Sequence, residues 1–258
     1  MDKIAFVYIA THSTYFRHLA GFVKTLQNFC PAIKDKYLVI FTDQPESLVY
    51  DTVMQNNNTI KVIYKKIEHK PWPMNALLKF EYVKQAIDEL TERSFGGDNL
   101  IFYADSKVEF RNKILIAHIY EEDKITTVLH NMYPNYPTDY QLLQFWVQNK
   151  DTNANIEGHY TYHQSGFFGG KLTLVYEAVR QCIQWTNQDL ANHRIPCVDD
   201  ESYWNRWIYE HPNRVFTLPE GFWGCATDPE SPWHNASINL RDHGDAEWYK
   251  YQVKEGLV

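Results

Sequence analysis

LIFYADSKVEF, residues 100–110, is five apolar or aromatic side chains in a row followed by a carboxylate at Asp105. The run comes directly after the turn signal Gly96-Gly97-Asp98-Asn99 and reads as a strand over residues 100–104. Upstream, residues 76–90 place Leu77, Phe80, Val83, Ile87 and Leu90 at helical spacing, and residues 60–67 and 37–42 are β-branched and aromatic strand candidates. Residues 15–29 repeat the helical pattern with Leu19, Phe22, Val23, Leu26 and Phe29, and residues 4–10, IAFVYIA, begin the series as a strand. Strands alternating with helices predict an α/β fold with a mostly parallel central sheet flanked by helices. In such sheets ligands bind beyond the carboxyl ends of the strands, which directs attention to Asp105 and the residues after it.

Beyond this region the pattern loosens. Residues 127–159 are polar and rich in Tyr, Asn and Pro, and predict a long functional loop. Residues 161–170, TYHQSGFFGG, read as a glycine turn or as a place where the backbone lets a ligand approach closely. Helices are expected over 172–191 and 201–210, and the tail after Leu218 reads as irregular, wrapping the site or fraying.

With 258 residues, 44% of them hydrophobic, a single domain is expected. A net charge of −7 argues against gripping nucleic acid by its phosphates, which leaves a small molecule as the expected partner. No apolar run of about 18 residues is present, so no membrane-spanning segment is expected. The chain passes from Met1 straight into a strand with no signal-peptide order, and a cytoplasmic location is expected. Cys30, Cys182, Cys197 and Cys225 are too scattered for a zinc pattern or a disulfide framework. Tyr, Phe and Trp make up 16% of the chain; such rings either fill a core or lie against the apolar faces of sugars. Asp199-Asp200-Glu201 opens the last helix, where acids either serve the macrodipole or carry chemistry.

Four of these segments in order resemble the family-6 glycosyltransferases, the family of the ABO blood-group enzymes, α1,3-galactosyltransferase and shorter bacterial relatives. They are Ile40-Phe41-Thr42-Asp43-Gln44-Pro45, residues 105–110, residues 165–170, and Asp200-Glu201-Ser202 with Asn205. The resemblance covers roughly residues 4–241. It implies a GT-A fold in one domain, with a UDP-binding half over about 1–125 and an acceptor-binding half and tail over about 126–258. The activity implied is retaining α1,3 transfer of GalNAc or Gal from UDP-GalNAc or UDP-Gal to a galactose-containing oligosaccharide.

Carried over by position, the resemblance puts Ala10 and Thr11 in the uridine pocket with Tyr15 as the stacking ring, although an ungapped match sets Thr14 at the family's tyrosine. Lys79 falls where relatives carry a basic residue near the donor; the bland alternative is a surface lysine on an amphipathic helix. Asp200 matches a donor-sugar contact, Glu201 the proposed nucleophile, and His130 an acceptor-galactose contact. Trp223 is assigned to the acceptor, next to Gly224, where blood-group enzymes have an aspartate. Gln164, Ser165 and Gly166 match the donor-selecting segment, and Arg241 and Lys250 are expected on the diphosphate.

Eukaryotic members hold Mn²⁺ with Asp-x-Asp. Here the motif reads Asp105-Ser106-Lys107. The resemblance then implies a metal-independent enzyme in which Lys107 supplies the positive charge, the alternative being Mn²⁺ held weakly through Asp105 alone.

Overall fold

The computed structural model describes residues 2–130, 149–158, 160–219, 223–224 and 238–240. Its ten strands are β1 (Lys3–Ile9), β2 (Asp35–Thr42), β3 (Lys61–Lys66), β4 (Leu100–Asp105), β5 (Val108–Phe110), β6 (Ile125–Leu129), β7 (His163–Lys171), β8 (Val215–Thr217), β9 (Trp223–Gly224) and β10 (Ile238–Leu240). The described helices are α1 (His12–Phe16), α2 (Leu19–Thr25), α3 (Glu46–Asn56), α4 (Met74–Leu77), α5 (Lys79–Glu92), α6 (Ile116–Ile119), α7 (Leu172–Ala191) and α8 (Asp199–Glu210).

Seven strands form one sheet in the order β3-β2-β1-β4-β7-β6-β8. All run the same way except β7, which is antiparallel to both neighbours. The fold is therefore the expected largely parallel sheet with helices on its faces, consistent with a single GT-A-like domain. A small second sheet, β5-β10-β9, joins the strand that follows Lys107 to two strands from the carboxyl-terminal part.

Both faces of the large sheet are covered at its centre, and this explains why β1, β2 and β4 read as largely unbroken apolar runs. Side chains alternate across a strand. Ile4, Phe6, Tyr8, Leu100, Phe102 and Phe167 point to a core shared with α2 and α3, where Phe22 and Phe29 pack. Ala5, Val7, Ile101, Tyr103 and Phe168 point to the other core, formed with α5, α7 and α8, where Phe80, Trp204 and Trp207 are buried.

Residues 161–170 depart from the reading as a glycine turn, because most of the segment is β7, inside the sheet. Glycine disfavours strands and so masks one here, but contact with β4 requires it. A Cβ on Gly169 would sit 2.3 Å from the Phe102 ring and 2.4 Å from the Ile101 carbonyl oxygen. The close approach is thus between strands. The helix expected over 15–29 is broken into α1, α2 and a 3₁₀ turn at Leu26–Asn28, and the one over 76–90 is split at Leu78 between α4 and α5. Among the described residues, no helix is long and apolar enough to cross a membrane.

Candidate active site

The carboxyl edge of the sheet gathers the strand ends, and a bulge in β7 shapes it. Thr127 pairs with Phe168 but its neighbour Val128 pairs with Gln164, so Ser165, Gly166 and Phe167 have no counterpart on β6. Phe167 still pairs with Ala104, and the extra residues bring Ser165 and Gly166 to the end of β4, near Asp105. Bulges commonly re-aim side chains next to functional sites. Here the segment meets the first turn of α8 and the start of α5.

Lys79 is buried there rather than spread on a helix surface. Its Nζ donates to Ser165 Oγ at 2.9 Å, pairs with the Asp200 carboxylate and lies 5.0 Å from the centre of the Tyr103 ring. Burial opposes its charge, yet Asp200, Asp105 and Glu201 outweigh that and hold its pKa above the ordinary lysine value. A buried cation of this kind persists because it is paired and hydrogen-bonded.

Glu201 takes hydrogen bonds on both oxygens: the Tyr162 hydroxyl donates to Oε1 at 2.7 Å and the Ser165 backbone N–H to Oε2 at 2.9 Å. Burial raises its pKa to about 7 despite these two donors, and the Asp200 charge adds to the rise. Asp199, with a left-handed backbone φ of 39°, accepts from Trp72 Nε1 at 2.7 Å, and burial together with Asp200 lifts it likewise to about 7. Asn205 ties α8 to β7: its Nδ2 donates to the carbonyls of His163 and Glu201 at 2.8 and 2.9 Å, and its Oδ1 accepts the His163 N–H at 2.8 Å.

His130 follows β6. Its backbone N–H donates to the Tyr162 carbonyl at 3.1 Å and its ring meets the Tyr162 ring edge-on at 5.6 Å. Burial lowers its pKa to about 4, so the imidazole is neutral at pH 7.

At the end of β1, the Ala10 carbonyl accepts the Thr42 hydroxyl at 2.6 Å. Thr11 Oγ1 accepts from Asn75 Nδ2 at 2.8 Å and lies 3.0 Å from His69 Nδ1, while the His12 N–H donates to Asp43 Oδ1 at 2.9 Å. Sequence reasoning singled out neither His69, Asn75 nor Tyr162. Their only signal was polar or aromatic character, His69 shortly after β3, Asn75 within α4 and Tyr162 just before β7. Lys107 is buried with Nζ 5.5 Å from the centre of the partly exposed Tyr15 ring, which brings those two expected donor residues together.

The residues at the Asp105 motif do not fit Mn²⁺. Asp105 is its single carboxylate, an ammonium stands two residues on, and the charge of Asp105 acts on Lys79. Of the remaining expected residues, Gln164 lies at the start of β7 and Trp223 in β9, paired with Ile238, whereas Arg241 and Lys250 lie outside the described residues.

Two comparisons bear on this arrangement. The model of the family described as Glycosyltransferase family 6 matches residues 4–238. The O-antigen biosynthesis glycosyltransferase WbnI of Escherichia coli is 29% identical over 227 residues, 86% of this chain and 86% of its own.

Proposed function

This chain belongs to glycosyltransferase family 6, and from that premise we propose that it transfers GalNAc, and less readily Gal, from UDP to a galactose-ended glycan with retention of configuration. The observation that carries the reading is Glu201: a half-buried carboxylate, fixed on both oxygens, next to an ion-paired Lys79–Asp200 couple at the carboxyl edge of the sheet. In transfer, the bond from the anomeric carbon to the diphosphate breaks with its electron pair leaving on UDP, and the acceptor hydroxyl oxygen bonds to that carbon on the same face while its proton passes to the departing diphosphate. Glu201 faces the developing positive charge, either as a covalent nucleophile or across an oxocarbenium-like state. Asp200, held by Lys79, grips the donor sugar; Lys107 supplies positive charge to the diphosphate; and neutral His130 accepts a hydroxyl of the acceptor galactose. Ala10 and Thr11, braced by Asn75 and His69, receive the uridine. The name of the Escherichia coli relative supports an acceptor of the O-antigen kind.

The donor preference rests on space. Gly166 is buried at the bulge, and the absence of a methyl there leaves room for the acetamido group at C2. A methyl-sized difference discriminates by about 1–3 kcal/mol. The kcat/KM for UDP-GalNAc should therefore exceed that for UDP-Gal by roughly 10- to 100-fold, and Gly166→Ala should move the ratio toward Gal. A wild-type preference for UDP-Gal overturns the assignment.

A further inference from the structure

Tyr162 touches both Glu201, through its hydroxyl, and His130, through its ring. The contact continues outward. The Tyr160 ring lies 6.2 Å from that of Tyr162, and the Tyr209 ring 6.4 Å from that of Tyr160 at an interplanar angle of 73°. Exposure rises along this ladder, from 3% at Tyr162 through a half-buried Tyr160 to 43% at Tyr209.

The ladder has a rigid support. Glu201, Asn205 and Tyr209 are spaced four apart and share one stripe of α8, and eight residues of helix put Tyr209 about 12 Å from Glu201 along the axis. The Tyr209 hydroxyl donates to the Glu157 carbonyl at 3.1 Å, and the Arg206 guanidinium donates to the Asn155 carbonyl, which straps residues 155–157 along the helix. A ring anchored at its hydroxyl and 43% exposed suits the apolar face of a pyranose, and a fixed tyrosine loses little entropy on binding one.

We propose that Tyr160 and Tyr209 form a subsite for the second sugar of the acceptor glycan, so that the enzyme prefers an acceptor of two or more sugars to a lone galactose. This rests on the transferase reading above. The spacing supports it, because a galactose between His130 and Glu201 must carry the rest of its glycan outward, and the rings mark a continuous outward path.

The test compares methyl β-galactoside with lactose as acceptors for UDP-GalNAc, in the wild type, Tyr209→Ala and Tyr209→Phe, using the ratio of the two kcat/KM values so that any general loss of enzyme cancels. The wild type should favour lactose. Tyr209→Ala should lower the ratio roughly three- to tenfold, and Tyr209→Phe, which keeps the ring face, should hold it within about twofold. A ratio unchanged by Tyr209→Ala, a wild type indifferent to the second sugar, or UDP release without transfer to either acceptor overturns the subsite alone. A wild type that releases no UDP from any UDP-sugar overturns the transferase reading and the subsite with it.

Discussion

Glu201 brings a stability cost together with the catalytic role proposed for it. Its pKa is about 7 in the folded chain, against an ordinary value of 4.5. Between those values the folded state holds a proton that the unfolded state has released, so stability falls as pH rises through that window. The penalty is absent below about pH 4.5 and complete above about pH 7, where it reaches on the order of 3 kcal/mol. Glu201→Gln removes it. Denaturant titrations should show the variant gaining on the wild type by that amount from pH 4.5 to 7.5, while its turnover collapses because the lost charge faced the transition state. A pH-independent difference, or an undiminished kcat, contradicts the role. At Lys107 the prediction concerns the metal: transfer should survive EDTA, and Lys107→Ala should lose rate that added Mn²⁺ does not restore. Strict dependence of the wild type on Mn²⁺ removes Lys107 from this role. Asp105 and Glu201 read on their own as a solvated strand end and a helix cap, and only the resemblance of the surrounding motifs singled them out as candidates. Tyr162 and Asn75 were not singled out, since a tyrosine or an amide acquires its role only from the partner the fold presents.

The bulged strand β7 sets how finely the site is built. Gly169 can carry no side chain without displacing the Phe102 ring or the β4 backbone. Gly169→Ala should therefore cost about 3 kcal/mol or more, at the upper end of core overpacking. Gly96→Ala, whose nearest neighbour would be an Asn99 side-chain atom at 3.6 Å, should stay within about 0.5 kcal/mol. Urea midpoints compare the two, and equal values contradict the packing argument. The helices α7 and α8 were readable because their apolar spacing is regular and uninterrupted. The strand β7 was not, because alternation vanishes where both faces are buried and the glycines demanded by its neighbours look like turn residues. The same opacity applies to the break between α1 and α2, where the apolar pattern runs on and Arg17 and His18 at the break keep near-helical backbone angles.

At the scale of the whole chain, β5 and β10 bind the segment after Lys107 to residues 238–240. A truncation meant to probe the tail must spare them. Deleting residues 241–258, which carry Arg241 and Lys250, should raise the KM for the UDP-sugar or abolish transfer with little change in Tm; ending the chain at Ser237 should also lower Tm, because β10 is lost. Unchanged kinetics after the first deletion would make the tail a spectator. The parallel half of the sheet was legible from its alternating strands and helices, whereas the strand order beyond β4 was not, since no local pattern specifies which later segment returns to the middle. That order has a consequence for synthesis on the ribosome. When residues 1–130 have emerged, Leu100-Ile101-Phe102-Tyr103-Ala104 has β1 on one side and nothing of its own on the other, and β6 has no place to dock until the strand between them arrives. For the time it takes to translate another forty or so residues, the nascent chain displays an apolar strand edge of the kind that pairs with other chains, so slowed elongation between residues 130 and 171 should lower the yield of folded protein even though the finished molecule is unaltered.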